Sequence, residues 1–251
     1  MTTLDQAVRT LAAAPRLLIA LDFDGVLAPI VPVPSDARPL PAAVTAIDAL
    51  AALPDTTVAL LSGRGLADLA AVSGFGPSVH MIGSHGGEFA DSDGSGSMLD
   101  DPARARLERL TAELRELVAG EPGVTLENKP AGVAVHVRNA ERAVAARVLD
   151  AVRAGPASRA GVETTPGKEV LDLAVLEVSK GSALDRLRER TGADAVFFAG
   201  DDVTDETAFV RLRPGDLGVK VGDGDTAAEH RVPDPPALAR LLDALRAARS
   251  R

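Results

Sequence analysis

Short, nearly continuous apolar runs, separated by stretches of helical length, constrain this chain more than any other feature. Leu17-Leu18-Ile19-Ala20-Leu21, Thr57-Val58-Ala59-Leu60-Leu61, Val79-His80-Met81-Ile82 and Ala195-Val196-Phe197-Phe198-Ala199 are such runs. A strand without polar alternation is one buried on both faces, the mark of a parallel sheet covered by helices. Helices are expected over 4–14, from Pro41 to about Leu53, over 65–72, from Ser179 to Arg190 and over 235–249, with a Pro-rich loop at 29–41 and a further strand at 217–221. The alternation predicts a doubly wound, Rossmann-like α/β core, in which ligands bind beyond the carboxyl ends of the strands.

The pattern breaks near residue 91. Asp91-Ser92-Asp93-Gly94-Ser95-Gly96-Ser97 has linker chemistry. A charged amphipathic helix at 102–119 is followed by half-exposed strands at Thr125–Lys129 and Gly132–Arg138, a helix at 140–153, and strands near 161–165 and 168–173. Such alternation is that of antiparallel strands with one wet face. Residues 99–176 therefore read as an α+β cap domain inserted into a core made of 1–98 and 177–251.

Composition removes whole classes of function. The 251 residues hold no Cys, so disulfides, thiolate chemistry and iron–sulfur clusters are excluded. With 27 Lys+Arg against 36 Asp+Glu the net charge is −9, which argues against nucleic-acid binding. Six Phe and no Trp or Tyr leave no stacking platform, so a sugar would be held by polar groups. No run reaches the roughly 18 apolar residues of a membrane span. Met1-Thr2-Thr3-Leu4-Asp5 lacks the basic start of a secretory signal, so a cytoplasmic protein, taken here as a monomer, is expected. An anionic substrate would require concentrated positive charge or a metal ion in the site.

Three motifs sit at the expected strand ends. Asp22-Phe23-Asp24-Gly25 follows the first strand. Its two carboxylates can converge on one point, where an ionised carboxylate serves as a nucleophile toward phosphorus or as an oxygen ligand for Mg²⁺. Gly200-Asp201-Asp202-Val203-Thr204-Asp205 follows the Ala195–Ala199 run. Carboxylates gathered at two neighbouring strand ends repel one another unless a cation compensates. Asp202 or Thr204 could instead cap the next helix. Leu61-Ser62-Gly63-Arg64-Gly65 brings a hydroxyl, backbone amides and a guanidinium to a helix start, a setting that suits a phosphate. Lys180 opens a later helix in the same way. Ser62 as a helix cap and Lys180 as a surface lysine are the alternatives.

In this order, Asp-x-Asp-Gly, Ser-Gly-Arg, Lys-Gly and Gly-Asp-Asp-x-x-Asp resemble the motifs of the haloacid dehalogenase superfamily. The longer strings Leu21–Pro29, Gly83-Ser84-His85-Gly86-Gly87-Glu88, Gly200–Phe209, Glu127-Asn128-Lys129, His136-Val137-Arg138 and Gly167–Asp172 are similar to those of the trehalose-6-phosphate phosphatase family within it. The resemblance implies a Mg²⁺-dependent phosphatase that removes phosphate from a small-molecule sugar phosphate, trehalose 6-phosphate. Asp22 would be the nucleophile that becomes an aspartyl-phosphate, and Asp24 the acid and base. The Asp22 side chain, the Asp24 carbonyl and Asp201 would hold the metal, with Asp202 and Asp205 in support. Ser62, Gly63, Arg64 and Lys180 would hold the phosphoryl oxygens.

Strand periodicity puts Glu127 and Lys129 on one face, and Lys168 and Asp172 on another strand's face with Leu171 and Leu173 opposite. These residues, with Arg138, His85 and Glu88, are the expected substrate-binding set, engaged by closure of the cap. Solvated outer sheet faces, and a structural His85, are the alternatives. The family pattern carries Glu where this chain has Asp172, which shortens the reach toward a sugar. Another sugar phosphate, a trehalose-like pseudo-disaccharide phosphate, or a non-catalytic sugar-phosphate sensor are the competing functions.

Overall fold

A computed structural model describes residues 3–89, 99, 101–175 and 178–250. The linker expected at Asp91–Ser97 lies outside them. The chain divides into two compact units, Met1–Gly96 with Ser179–Arg251, and Ser97–Val178.

The first unit is built from α1 (Leu4–Ala12), β1 (Leu17–Leu21), α2 (Pro41–Ala51), β2 (Thr56–Leu61), α3 (Leu66–Ser73), β3 (Val79–Gly83) and β4 (Glu88–Phe89), and resumes after the insert. The insert contributes α4 (Asp101–Val118), β5 (Thr125–Lys129), β6 (Gly132–His136), α5 (Arg142–Ala154), β7 (Glu163–Gly167) and β8 (Val170–Ala174). The first unit then completes with α6 (Lys180–Thr191), β9 (Ala195–Gly200), α7 (Val203–Phe209), β10 (Leu217–Val221), β11 (His230–Val232) and α8 (Pro235–Arg249).

The core sheet runs β11-β10-β9-β1-β2-β3-β4, parallel except for the β3–β4 pair. Its centre is β1, hydrogen-bonded to β9 on one side and β2 on the other. All five β1 residues are buried, as an unbroken apolar run requires. Neighbouring side chains serve opposite faces. Phe197 joins the cluster formed with α1, α2 and α8, whereas Phe198 meets Phe209 of α7 edge to face at 5.1 Å. That two-sided cover fixes the register, because a one-residue slip would move every side chain to the other face. At the opposite end of the sheet from the motifs, Arg249 ties the last turn of α8 to the carbonyls of Ala12, Ala14 and Asp55.

The insert is an antiparallel sheet of order β5-β6-β8-β7. Val133, Val135, Leu171 and Leu173 pack with Leu110, Leu114, Val148 and Val152 of α4 and α5. The same register puts Glu127, Ala134 and Asp172 together on the opposite face. Two expectations need correction. Lys168 is not on a strand: with Glu169 (φ 61°) it makes the two-residue turn between the paired Gly167 and Val170. Arg138 lies beyond the end of β6, exposed and 3.5 Å from Glu169. β4 and β11 were absent from the sequence expectation; at two and three residues they are too short to show periodicity. No helix among the described residues is long and apolar enough to cross a membrane.

Candidate active site

Parallel pairing of β1 with β9 and β2 brings the three motif loops side by side at one end of the sheet. The Asp22 amide donates to the Ala199 carbonyl at 3.0 Å, so the first acidic loop begins where β9 ends. Gly25 then turns the chain at φ 73°. A Cβ there would lie 1.9 Å from Asp201 Oδ2, so only glycine lets the Asp201 carboxylate pack on this loop. Gly200 has the same function toward Asp205, whose Cγ would be 2.3 Å from an added Cβ.

Around these loops lies a cleft of about 600 Å³ lined by residues that include Asp22, Asp24, Ser62, Gly63, Arg64, His85, Lys180, Asp201 and Asp202. At its floor Lys180 is 2 % exposed, with Nζ 3.0 Å from Asp22 Oδ2 and 2.7 Å from Asp205 Oδ1. The surface-lysine alternative is thereby excluded. Lys180 reaches this position because Ser179 caps α6, its hydroxyl accepting from the Ser182 amide at 3.1 Å.

Asp205 is fully buried and fully engaged: Oδ1 accepts from Lys180, and Oδ2 from the Asp201 and Asp202 amides at 3.0 and 2.9 Å. It holds the loop in shape. Asp202 is exposed and caps α7, its side chain accepting from Val203 N at 2.7 Å. By contrast, no donor reaches the Asp201 carboxylate among the described residues. Its backbone carbonyl accepts from Lys220 Nζ at 2.7 Å.

Carboxylate oxygens of Asp22, Asp201 and Asp205 all lie within 4.8 Å of one another. Burial, then the Asp205 charge, pushes Asp22 up to about 8, while Lys180 pulls it down. Burial and Asp205 likewise raise Asp201 to about 6. Burial lowers the Lys180 pKa, but Asp22 and Asp205 outweigh it, so Lys180 stays charged with a raised value. One ammonium thus faces three crowded carboxylates, one of them without a donor. Hard oxygen ligands with surplus negative charge fit a divalent cation such as Mg²⁺.

The Ser62 hydroxyl is buried and accepts from the Arg64 amide at 3.2 Å, so it shapes its own loop; the cap position of α3 is Gly65. Among the described residues the Gly63 amide meets no backbone acceptor. Arg64 lines the cleft and is held by protein carboxylates. Nε and Nη2 grip both Asp24 oxygens at 2.6 and 2.8 Å. Nη1 binds Asp68 at 2.7 Å, and Nη2 also reaches the Pro34 carbonyl. The Asp24 bond, ahead of the others, raises the Arg64 pKa. Its fork is spent on orienting Asp24.

His85 lines the cleft on a strained turn: Ser84 and His85 have φ 51° and 55°, followed by Gly86 at 109°. Backbone bonds from Ser84 N to Arg64 O (2.7 Å) and His85 N to Ser62 O (2.9 Å) fasten this turn to the Ser62–Arg64 loop. Burial, then Lys180, lowers the His85 pKa. Glu88 does not face the cleft. One oxygen accepts from Leu66 N at 2.8 Å at the start of α3, and the other from the Ser84 hydroxyl, so it braces the turn.

In the insert, Lys129 pairs with Asp172, and His136 Nε2 lies 2.8 Å from Glu127 Oε2. Glu127, Lys129 and Asp172 therefore share one polar sheet face; Arg138 and Lys168 stand apart from it. Sequence reasoning missed Lys220 and Glu206. Lys220 is buried, and a lysine inside the apolar run Leu217–Val221 was its available signal. Glu206, 3.6 Å from Lys220, carried none.

The trehalose-phosphatase family model matches residues 20–234. The chain is 37 % identical over 244 residues to the trehalose-phosphate phosphatase of Mycobacterium ulcerans (strain Agy99), covering 92 % of this chain and 62 % of that protein. To that of Mycobacterium avium (strain 104) it is 39 % identical over 243 residues, covering 90 % and 61 %. The chain thus spans under two thirds of the length of these relatives. Among solved structures, Aspergillus fumigatus trehalose-6-phosphate phosphatase crystal form 3 superposes with a TM-score of 0.76 at 24 % identity, covering 98 % of both chains. Crystal form 2 gives 0.73 at 25 %, covering 96 % of both.

Proposed function

Because the chain belongs to the trehalose-phosphatase family, we propose that it hydrolyses trehalose 6-phosphate to trehalose and inorganic phosphate. The observation that carries this reading is the Lys180 contact with Asp22 at the floor of a cleft that also holds Asp24 and Asp201.

In the proposed reaction a carboxylate oxygen of Asp22 attacks phosphorus in line. The bond from phosphorus to the sugar oxygen breaks, and that oxygen takes a proton from Asp24. Trehalose leaves. Asp24 then accepts a proton from water as the water attacks the aspartyl-phosphate, the bond to Asp22 breaks, and phosphate is released. Lys180, the Gly63 amide and the Ser62 hydroxyl hold phosphoryl oxygens through both steps. Arg64 grips both Asp24 oxygens and so sets where this acid and base group stands before each proton transfer. Asp22, the Asp24 carbonyl and Asp201 would hold Mg²⁺, which when bound supplies charge neutralisation for the phosphoryl group. Glu127, Lys129 and Asp172 of the insert are the proposed sugar-recognition residues.

The test is phosphate release with Mg²⁺ from trehalose 6-phosphate and from a panel of simple sugar phosphates, with Asp22→Asn as control. Preference for trehalose 6-phosphate, abolished in Asp22→Asn, supports the proposal. Equal rates across the panel would defeat the assignment of substrate. No release from any of them would favour a non-catalytic sensor.

A further inference from the structure

The insert carries a cavity of about 270 Å³, lined by Arg106, Arg109, Leu110, Glu113, Arg159, Ala160 and Val162. Three arginines and one glutamate line it, against the chain's overall charge of −9. Glu113 is taken by Arg159 at 3.1 Å. Arg106 and Arg109 stand three apart on α4, where like charges repel.

The Arg106 Nε is shielded from solvent and meets no hydrogen-bond acceptor among the described residues. A long cationic side chain normally extends its head to water. Here the turn at Gly161 (φ 78°) closes on the guanidinium: a Cβ at that position would come within 3.1 Å of Cζ, Nε and Nη1. A buried donor of a charged group without an acceptor costs free energy unless a ligand supplies one. The planar Arg fork matches tetrahedral oxyanions.

We propose that this cavity is a binding site for a phosphate-type oxyanion, held by Arg106 with Arg109 and Arg159, and separate from the acidic cleft of the other unit. It does not depend on which phosphate ester the protein hydrolyses. Inorganic phosphate and sugar phosphate monoesters share the recognised chemistry.

The test is a titration of the full chain, followed by amide and Arg Nε–H NMR signals in the absence of divalent metal. Inorganic phosphate and glucose 6-phosphate are the two ligands, and chloride at matched ionic strength is the control. The expected result is saturable shifts at Arg106, Ala160, Gly161 and Val162 with at least one ligand; which one saturates distinguishes the free ion from the ester. In Arg106→Met the affinity at these signals should fall by about tenfold or more, as for loss of a charge-assisted hydrogen bond. Arg109→Gln, at an exposed position, serves as a second variant should Arg106→Met disturb the fold. Absence of saturable shifts with both ligands, or unchanged affinity in a folded variant, would overturn the proposal.

Discussion

Replacing Lys180 with Met isolates the charge at the floor of the cleft, because the two side chains have similar stems. The parent Nζ lies 3.0 Å from Asp22 and 2.7 Å from Asp205, and only 2 % of the side chain is exposed. Removing one member of a buried ion pair typically costs about 3–5 kcal/mol, since the partner is left buried without its counter-charge. Backbone amides of Phe23, Asp201 and Asp202 still bond to the two carboxylates and offset part of the loss. The lower end, about 3 kcal/mol, is therefore expected for metal-free protein at pH 8. That corresponds to a Tm lowered by roughly 6–12 °C for a domain of this size. The sign of the pH dependence follows from Asp22. Its folded pKa, raised chiefly by burial to about 8 from 3.8, contributes stability at low pH that is lost as pH rises through 8. Lys180 is the main influence lowering that pKa, so in the variant Asp22 titrates higher still. The deficit should then shrink on acidification. Urea denaturation of both proteins at pH 5 and pH 8 with chelator measures it. A difference below about 1 kcal/mol at pH 8, or one that grows toward pH 5, would refute the reasoning.

Mg²⁺ affinity, measured by calorimetry, should rise between pH 6 and 8, because Asp201 at about 6 and Asp22 at about 8 must release protons; a flat profile would contradict the assignment of ligands. Gly25→Ala should lose about 1–3 kcal/mol and its stabilisation by Mg²⁺, through strain at φ 73° and collision with Asp201; unchanged metal-linked Tm would count against the close approach of the two loops. Arg64→Met should lower kcat by about tenfold or more with little effect on KM, because Asp24 loses its orienting partner. A raised KM at constant kcat would instead restore the phosphate-ligand role.

Much of this arrangement was legible in the chain because it follows from local patterns. An apolar run followed at once by Asp-x-Asp-Gly or Gly-Asp-Asp says both where a strand ends and what it presents there. Parallel pairing then does the rest, since β1 and β9 share register and their loops must meet. Asp202 reads in the sequence as metal support with a helix cap as the alternative, and its side chain accepts from Val203 N at the start of α7. The sequence could not say where long side chains spend their hydrogen bonds. Arg64 looked like positive charge for phosphate, yet its fork closes on Asp24, 40 positions earlier in the chain. Glu88 sat in a motif beside His85, yet it braces α3. Lys168 was assigned to a strand because period-two alternation does not reveal a turn of two residues in which Glu169 takes positive φ. Such partners are set by tertiary approach, which no local period encodes.

Trapping the protein with substrate tests the proposal that Asp22 is the group that meets phosphorus. Trehalose 6-phosphate and Mg²⁺ are mixed with the protein, quenched with acid within a turnover, and the digested chain is read by mass spectrometry. One phosphoryl group on the peptide containing Asp22, absent from Asp22→Asn, is the predicted result. Phosphate release with no phosphorylated peptide at any quench time, or with the phosphoryl group on another residue, would contradict it.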